Sequence, residues 1–149
     1  RLVLVNTFAY YPRRLPIDFL SVIGPWLPNR PTHPATRHVR GWFFFARDTP
    51  KAEQDAWWEL TADVPMRAYG HRFRLLRTLA LRPRLAEIDI PAIVFAAPGD
   101  WVVPSAAGRL LARRLPRARL VTTPTAHAAM LDPRVDVAGW LKGPAIVEA

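Results

Sequence analysis

The longest uninterrupted apolar stretch near the centre of the chain is Ile90-Pro91-Ala92-Ile93-Val94-Phe95-Ala96-Ala97. A short continuous apolar run bounded by turn residues predicts a strand buried on both faces. It stops at Pro98-Gly99-Asp100, a turn that sets an acid at the strand's C-terminal edge. Residues 104–115 then follow a helical pattern, and residues 118–123 predict a second strand, which leads into Thr125-Ala126-His127. A strand–helix–strand unit with such short connections predicts two neighbouring parallel strands joined by a right-handed crossover. Residues 2–9, which begin with the apolar run Leu2-Val3-Leu4-Val5, open the chain and predict a further buried strand.

Between residues 10 and 81 the pattern turns helical and gathers most of the aromatics. It predicts helices over 15–23, over 38–46 with Trp42, Phe43, Phe44 and Phe45, from Thr49-Pro50 to about Thr61, and over 64–79. Thr49 is placed to cap the third of these, with Pro50 at its first position and Glu53 near the reciprocal site. In the fourth, Met66, Tyr69, Phe73, Leu76 and Leu79 recur at the three-to-four spacing of one helix face. Pro25, Pro28, Pro31 and Pro34 exclude a helix and predict a stiff extended loop. Residues 133–141 predict a closing helix, with Val135, Val137, Trp140 and Leu141 as its apolar positions and Asp132 as its cap.

The fold class is thus α/β, and open α/β sheets present their chemistry at the carboxyl ends of their strands. Two adjacent strands deliver Asp100 and His127 to that edge, twenty-seven positions apart, which is what the intervening helix and strand require. A histidine held by a buried acid is the general base of a nucleophilic triad. The competing readings are a turn aspartate that caps the following helix, and a structural histidine. His33, His38 and His71 have neither a paired carboxylate nor metal-ligand spacing. Ser105 follows the acid turn without the strand–turn–helix surroundings of a nucleophile. No metal site and no phosphate-cradling glycine loop is present in the sequence, and no cofactor is expected.

The stretch from Leu85-Ala86-Glu87-Ile88-Asp89-Ile90-Pro91 through Leu131-Asp132-Pro133 resembles the C-terminal part of the α/β-hydrolase superfamily. Gly99-Asp100-Trp101-Val102-Val103-Pro104 resembles the family's acid turn, and Ala126-His127-Ala128-Ala129-Met130-Leu131 its histidine loop. The resemblance implies Asp100 as triad acid and His127 as triad base, in the family's order nucleophile, acid, histidine. One position departs: the family usually has Gly before the histidine, whereas this chain has Ala126, which tolerates positive φ poorly and so predicts an altered loop. Some branches take the acid after the earlier strand, but Asn6-Thr7-Phe8 holds no carboxylate there.

Leu2-Val3-Leu4-Val5-Asn6-Thr7-Phe8-Ala9 resembles the family strand that follows the nucleophile helix. The G-x-S-x-G elbow is absent from the sequence, which begins at Arg1. The chain is therefore expected to be the C-terminal part of a partial α/β-hydrolase fold, with a nucleophile, serine by resemblance, upstream of residue 1. Alone, it is expected to be inactive, with an unpaired strand edge. Residues 1–12 and 82–149 are expected to form the core, and residues 13–81 an inserted helical cap. Its aromatics either pack cap against core or line an apolar pocket.

The resemblance implies a hydrolase of ester-like or related small apolar substrates. The family also includes carbon–carbon hydrolases, peptidases, haloperoxidase-like enzymes, dehalogenases and epoxide hydrolases, so the substrate stays open. The alternative is a non-catalytic relative that binds a ligand or protein through its cap groove. A net charge of +9 raises nucleic acid as a partner. Lys51 and Lys142 are the only lysines, however, and the arginines are scattered rather than blocked, so a solvated basic surface is expected instead. The absence of cysteine excludes disulfides and thiolate chemistry within these 149 residues. No apolar run reaches membrane-span length. The compartment and oligomeric state stay open, with the cytoplasm favoured.

Overall fold

A computed structural model describes residues 1–11, 14–23, 26, 41–42, 44–62, 64–132 and 135–142. Among these residues three parallel strands form a sheet, in the order β1 (Leu2–Val5), β2 (Ala92–Ala96), β3 (Ala118–Thr122). Leu2 pairs with Ala92 and Val5 with Phe95; Ala92 pairs with Ala118 and Ala96 with Thr122. The middle strand is buried along its whole length, as its unbroken apolar sequence predicts.

Side chains alternate between the faces of a strand, and the core divides accordingly. Leu2 and Leu4, Ala92 and Val94, Ala118 and Leu120 face one cluster with Leu85, Leu111 and Leu115. Val3 and Val5, Ile93 and Phe95, and Val121 face the other, with Ala129, Val135 and Trp140. Arg119, on the same side as Val121, lays its guanidinium over the Trp140 ring at 5.6 Å, which covers apolar surface with a hydrated charge.

Among the described residues between β1 and β2 are the helices α1 (Arg14–Ile23), α2 (Lys51–Thr61) and α3 (Met66–Thr78), and a 3-10 turn at Arg82–Glu87. α1 packs on α3. Arg77 crosses this contact to Asp18 at 2.8 Å and to the Ser21 hydroxyl at 3.5 Å, beside a fully buried Ser21. The helix α4 (Ser105–Arg114) lies against the sheet, and a short helix α5 (Val137–Lys142) closes the described chain. Gly108 marks the closest approach of α4, where an added Cβ would stand 2.7 Å from the Ala96 Cβ.

Several element ends differ from the sequence expectation. The strand over 2–9 stops at Val5, because Asn6 takes a φ of 42°. The strand over 90–97 begins at Ala92, since Pro91 has no N–H and serves β1 only through its carbonyl, 2.9 Å from the Leu2 amide. Thr49 does not cap α2. Pro50 stays extended, with ψ of 140°, so the helix starts one residue later, at Lys51, and no side chain caps it. At the other end Asp136, not Asp132, caps α5, its Oδ1 accepting the Gly139 N–H at 2.7 Å. Of the helix expected over 38–46, residues 41, 42 and 44 are helical, and residues 38–40 and 43 lie outside the described residues. The proline loop at Pro25, Pro28, Pro31 and Pro34 lies outside them too.

Candidate active site

Because the strands are parallel, their C-terminal ends share one edge of the sheet. β1 leaves it through Asn6, β2 through Ala97-Pro98-Gly99-Asp100, and β3 through Thr123 to His127. Asp100 is 5% exposed. Its Oδ1 accepts the N–H groups of Val102 and Val103, each at 2.7 Å. The turn residues thus fix the carboxylate plane and satisfy one oxygen. The other, Oδ2, lies 2.9 Å from His127 Nδ1. The helix-cap reading of Asp100 does not hold: α4 begins at Ser105 behind Pro104, with no side-chain cap. The turn reading holds for Oδ1 alone.

His127 sits on a loop held from three sides. The Ala128 N–H donates to the Phe44 carbonyl at 2.8 Å, and the Phe44 ring centroid lies 5.4 Å from that of the imidazole. Asn6 Nδ2 donates to the carbonyls of Ala126, at 2.6 Å, and His127, at 3.2 Å. Thr123 and Thr125 share a buried hydroxyl–hydroxyl bond of 2.8 Å below the loop. Ala126 is buried without a positive φ; among the described non-glycine residues only Asn6 has one. The acid turn and the histidine loop also touch directly, since a Cβ on Gly99 would meet the Thr125 carbonyl oxygen at 2.9 Å. Glycine is needed there for the approach of two backbones.

The imidazole side chain is 27% exposed against none for the Asp100 carboxylate. A desolvated carboxylate held against a partly open imidazole is an arrangement suited to proton transfer. Phe44, Phe45, Trp57 and Trp58 pack against one another beside it, mostly edge to face, with centroid separations of 4.7 to 5.9 Å. A small hollow between this cluster and the histidine loop is lined by Phe44, Phe45, Thr49, Thr125, Ala126 and Asp132, among others. The aromatics therefore pack among themselves, and Phe44 also borders His127.

His71 is exposed on α3, away from any carboxylate pair, and His33 and His38 lie outside the described residues. The Ser105 hydroxyl accepts a bond from Arg109 on its own helix at 3.0 Å. Among the described residues no group of three or more His, Cys, Asp or Glu could hold a metal ion. No helix among them is long and apolar enough to cross a membrane. Two contributors were not singled out from the sequence: Asn6, noted only for lacking a carboxylate, and Tyr11, whose hydroxyl donates to the Val102 carbonyl of the acid turn at 2.7 Å. Asparagine directly after an apolar run was the available signal, because asparagine enters the left-handed region more readily than other side-chain-bearing residues.

No protein-family model matches the sequence, and no curated protein matches it. Solved structures do. A hydrolase from Pseudomonas aeruginosa PA01 is similar over 87% of this chain and 49% of its own, at 25% identity and a TM-score of 0.71. An esterase from Exiguobacterium antarcticum matches over 89% and 52%, at 20% identity and a TM-score of 0.71. An enol-lactonase from Burkholderia xenovorans LB400 matches over 85% and 48%, at 21% identity and a TM-score of 0.71. The chain spans about half the length of these structures. The parallel sheet, its flanking helices and these likenesses together give the chain a partial α/β-hydrolase fold and a relationship to the α/β-hydrolase superfamily.

Proposed function

We propose that this chain carries the acid and base of an α/β-fold hydrolase that cleaves ester-like, small apolar substrates by nucleophilic catalysis. The observation that carries the reading is the 2.9 Å contact between His127 Nδ1 and Asp100 Oδ2, made by a carboxylate whose other oxygen is already taken by two backbone N–H groups. A carboxylate only accepts, so Nδ1 holds the hydrogen and Nε2 keeps its lone pair. Nε2 then removes the proton of the attacking hydroxyl and returns it to the leaving group. Asp100 holds the tautomer and stabilises the cationic ring between those two transfers. The reading assigns the nucleophile, a serine, to a segment upstream of residue 1, since the chain holds no G-x-S-x-G motif.

In this reading residues 1–12 and 82–149 belong to the hydrolase core, and residues 13–81 are the cap. The aromatic side chains of Phe44 and Phe45, which line the hollow beside the histidine loop, favour an apolar substrate, because binding pockets are mostly apolar with few polar groups. The names of two similar structures, an esterase and an enol-lactonase, point to ester cleavage as the first chemistry to try. The test is hydrolysis of short-chain p-nitrophenyl esters by the full-length protein and its His127→Ala variant. The expected loss in kcat is on the order of 10⁴-fold or more. Retained turnover in the variant refutes the assignment of His127. Ester binding without turnover by the unaltered protein favours a non-catalytic, ligand-binding relative.

A further inference from the structure

We propose that Asn6 is a positioning residue: its carboxamide ties the His127 loop to the strand bearing the acid turn, and so holds the imidazole in register with Asp100. The inference rests on reading His127 as the general base. Three segments of chain meet at this one side chain. Asn6 Oδ1 accepts the Ala97 N–H at 3.1 Å, three residues before Asp100. Asn6 Nδ2 donates to the carbonyls of Ala126 and His127 at 2.6 and 3.2 Å. The residue's own N–H donates to the Phe95 carbonyl at 3.1 Å, which fixes its backbone to β2.

The chemistry selects an amide. One side of the group must accept from an amide N–H and the other must donate to two carbonyls, and among side chains of this size only asparagine does both. An aspartate would set an oxygen against the Ala126 carbonyl oxygen at close range. The backbone agrees with the choice, since φ is 42° and asparagine is among the few side-chain-bearing residues that enter this region readily. Asn6 is 8% exposed, so these groups have little water to turn to if the amide is lost.

A residue that merely ends β1 would need the positive φ but not the amide, and two substitutions separate the roles. Asn6→Gly keeps the backbone conformation and deletes the side-chain bonds. Asn6→Asp keeps the shape and removes the donor. The measurement is 15N NMR of histidine-labelled full-length protein, with the His127 signals identified by their loss in His127→Gln. Imidazole nitrogen shifts report the tautomer, and exchange of the ring N–H reports how firmly Nδ1 is held.

In the unaltered protein His127 is expected in the Nδ1–H form, with slowed exchange. Both variants are expected to keep their circular dichroism, exchange that proton at least about tenfold faster and populate the Nε2–H form. A folded Asn6→Gly or Asn6→Asp variant with wild-type tautomer and exchange overturns the proposal. Loss of folding in both overturns it too, because Asn6 is then a core residue. Absence of the Nδ1–H form from the unaltered protein overturns the Asp100–His127 pairing itself, and the role of Asn6 with it.

Discussion

Replacing Gly108 with alanine sets two effects of known size against each other. Alanine is better than glycine in a helix interior by about 1 kcal/mol. On an open helix face Gly108→Ala would therefore stabilise the protein. Here the new Cβ stands 2.7 Å from the Ala96 Cβ and 3.6 Å from Val94 Cγ1, both on the buried strand β2. Carbon atoms meet comfortably at about 3.5–4.0 Å, so α4 and β2 must part by roughly 1 Å. Overpacking of this kind costs about 1–3 kcal/mol. With the sheet face fully buried, the upper part of that range applies, and the net expectation is a loss of about 1–2 kcal/mol. Urea denaturation of the full-length protein measures it as a lower midpoint at unchanged slope.

The double variant Gly108→Ala/Ala96→Gly removes the offending atom. The remaining 3.6 Å contact with Val94 is ordinary. The two substitutions should therefore couple favourably, by about 2 kcal/mol relative to their sum. A stabilised Gly108→Ala variant, or strict additivity in the double, would refute the packing assigned to α4.

Gly99→Ala tests the contact between acid turn and histidine loop. No described glycine has a positive φ, so its cost comes from the 2.9 Å approach to the Thr125 carbonyl oxygen and not from backbone strain. A displacement of a few tenths of an ångström should lower kcat about fivefold to tenfold with little change in KM; an unchanged kcat argues against a shared, rigid site. Tyr11→Phe deletes the bond to the Val102 carbonyl, and denaturation should show a loss of about 1 kcal/mol. A neutral outcome would mean that the acid turn needs no brace from the β1 segment.

The centre of the sheet was legible in the sequence because a strand buried on both faces has no polar position to obscure it. Ala92–Ala96 is such a strand, and its neighbours follow from its turns. The contact between Asp100 and His127 was legible for another reason: two strand ends and one helix leave little freedom in where the loops go. What was missed rests on contacts between segments far apart in the chain. Asn6 bonds Ala126 across 120 positions, and Tyr11 bonds Val102 across 91. A local pattern can mark Asn6, an asparagine directly after an apolar run, but not the distant partners that it or Tyr11 bonds. Cap residues were misjudged where a single dihedral decided the matter, as at Pro50, whose extended ψ moved the start of α2 past Thr49. The assignment of Asp132 failed because α5 starts at Val137, which hands the capping position to Asp136.

The most direct measurement for the central claim is kcat/KM of Asp100→Asn in the full-length protein, on a short-chain p-nitrophenyl ester. The variant keeps size and shape, and an amide oxygen can still accept the Val102 and Val103 N–H groups. The remaining NH2 then faces His127 Nδ1 and drives the ring to the Nε2–H form, which cannot accept the nucleophile's proton. The account predicts a fall of about 10³- to 10⁴-fold with the fold intact. A folded variant within tenfold of the unaltered protein would contradict it.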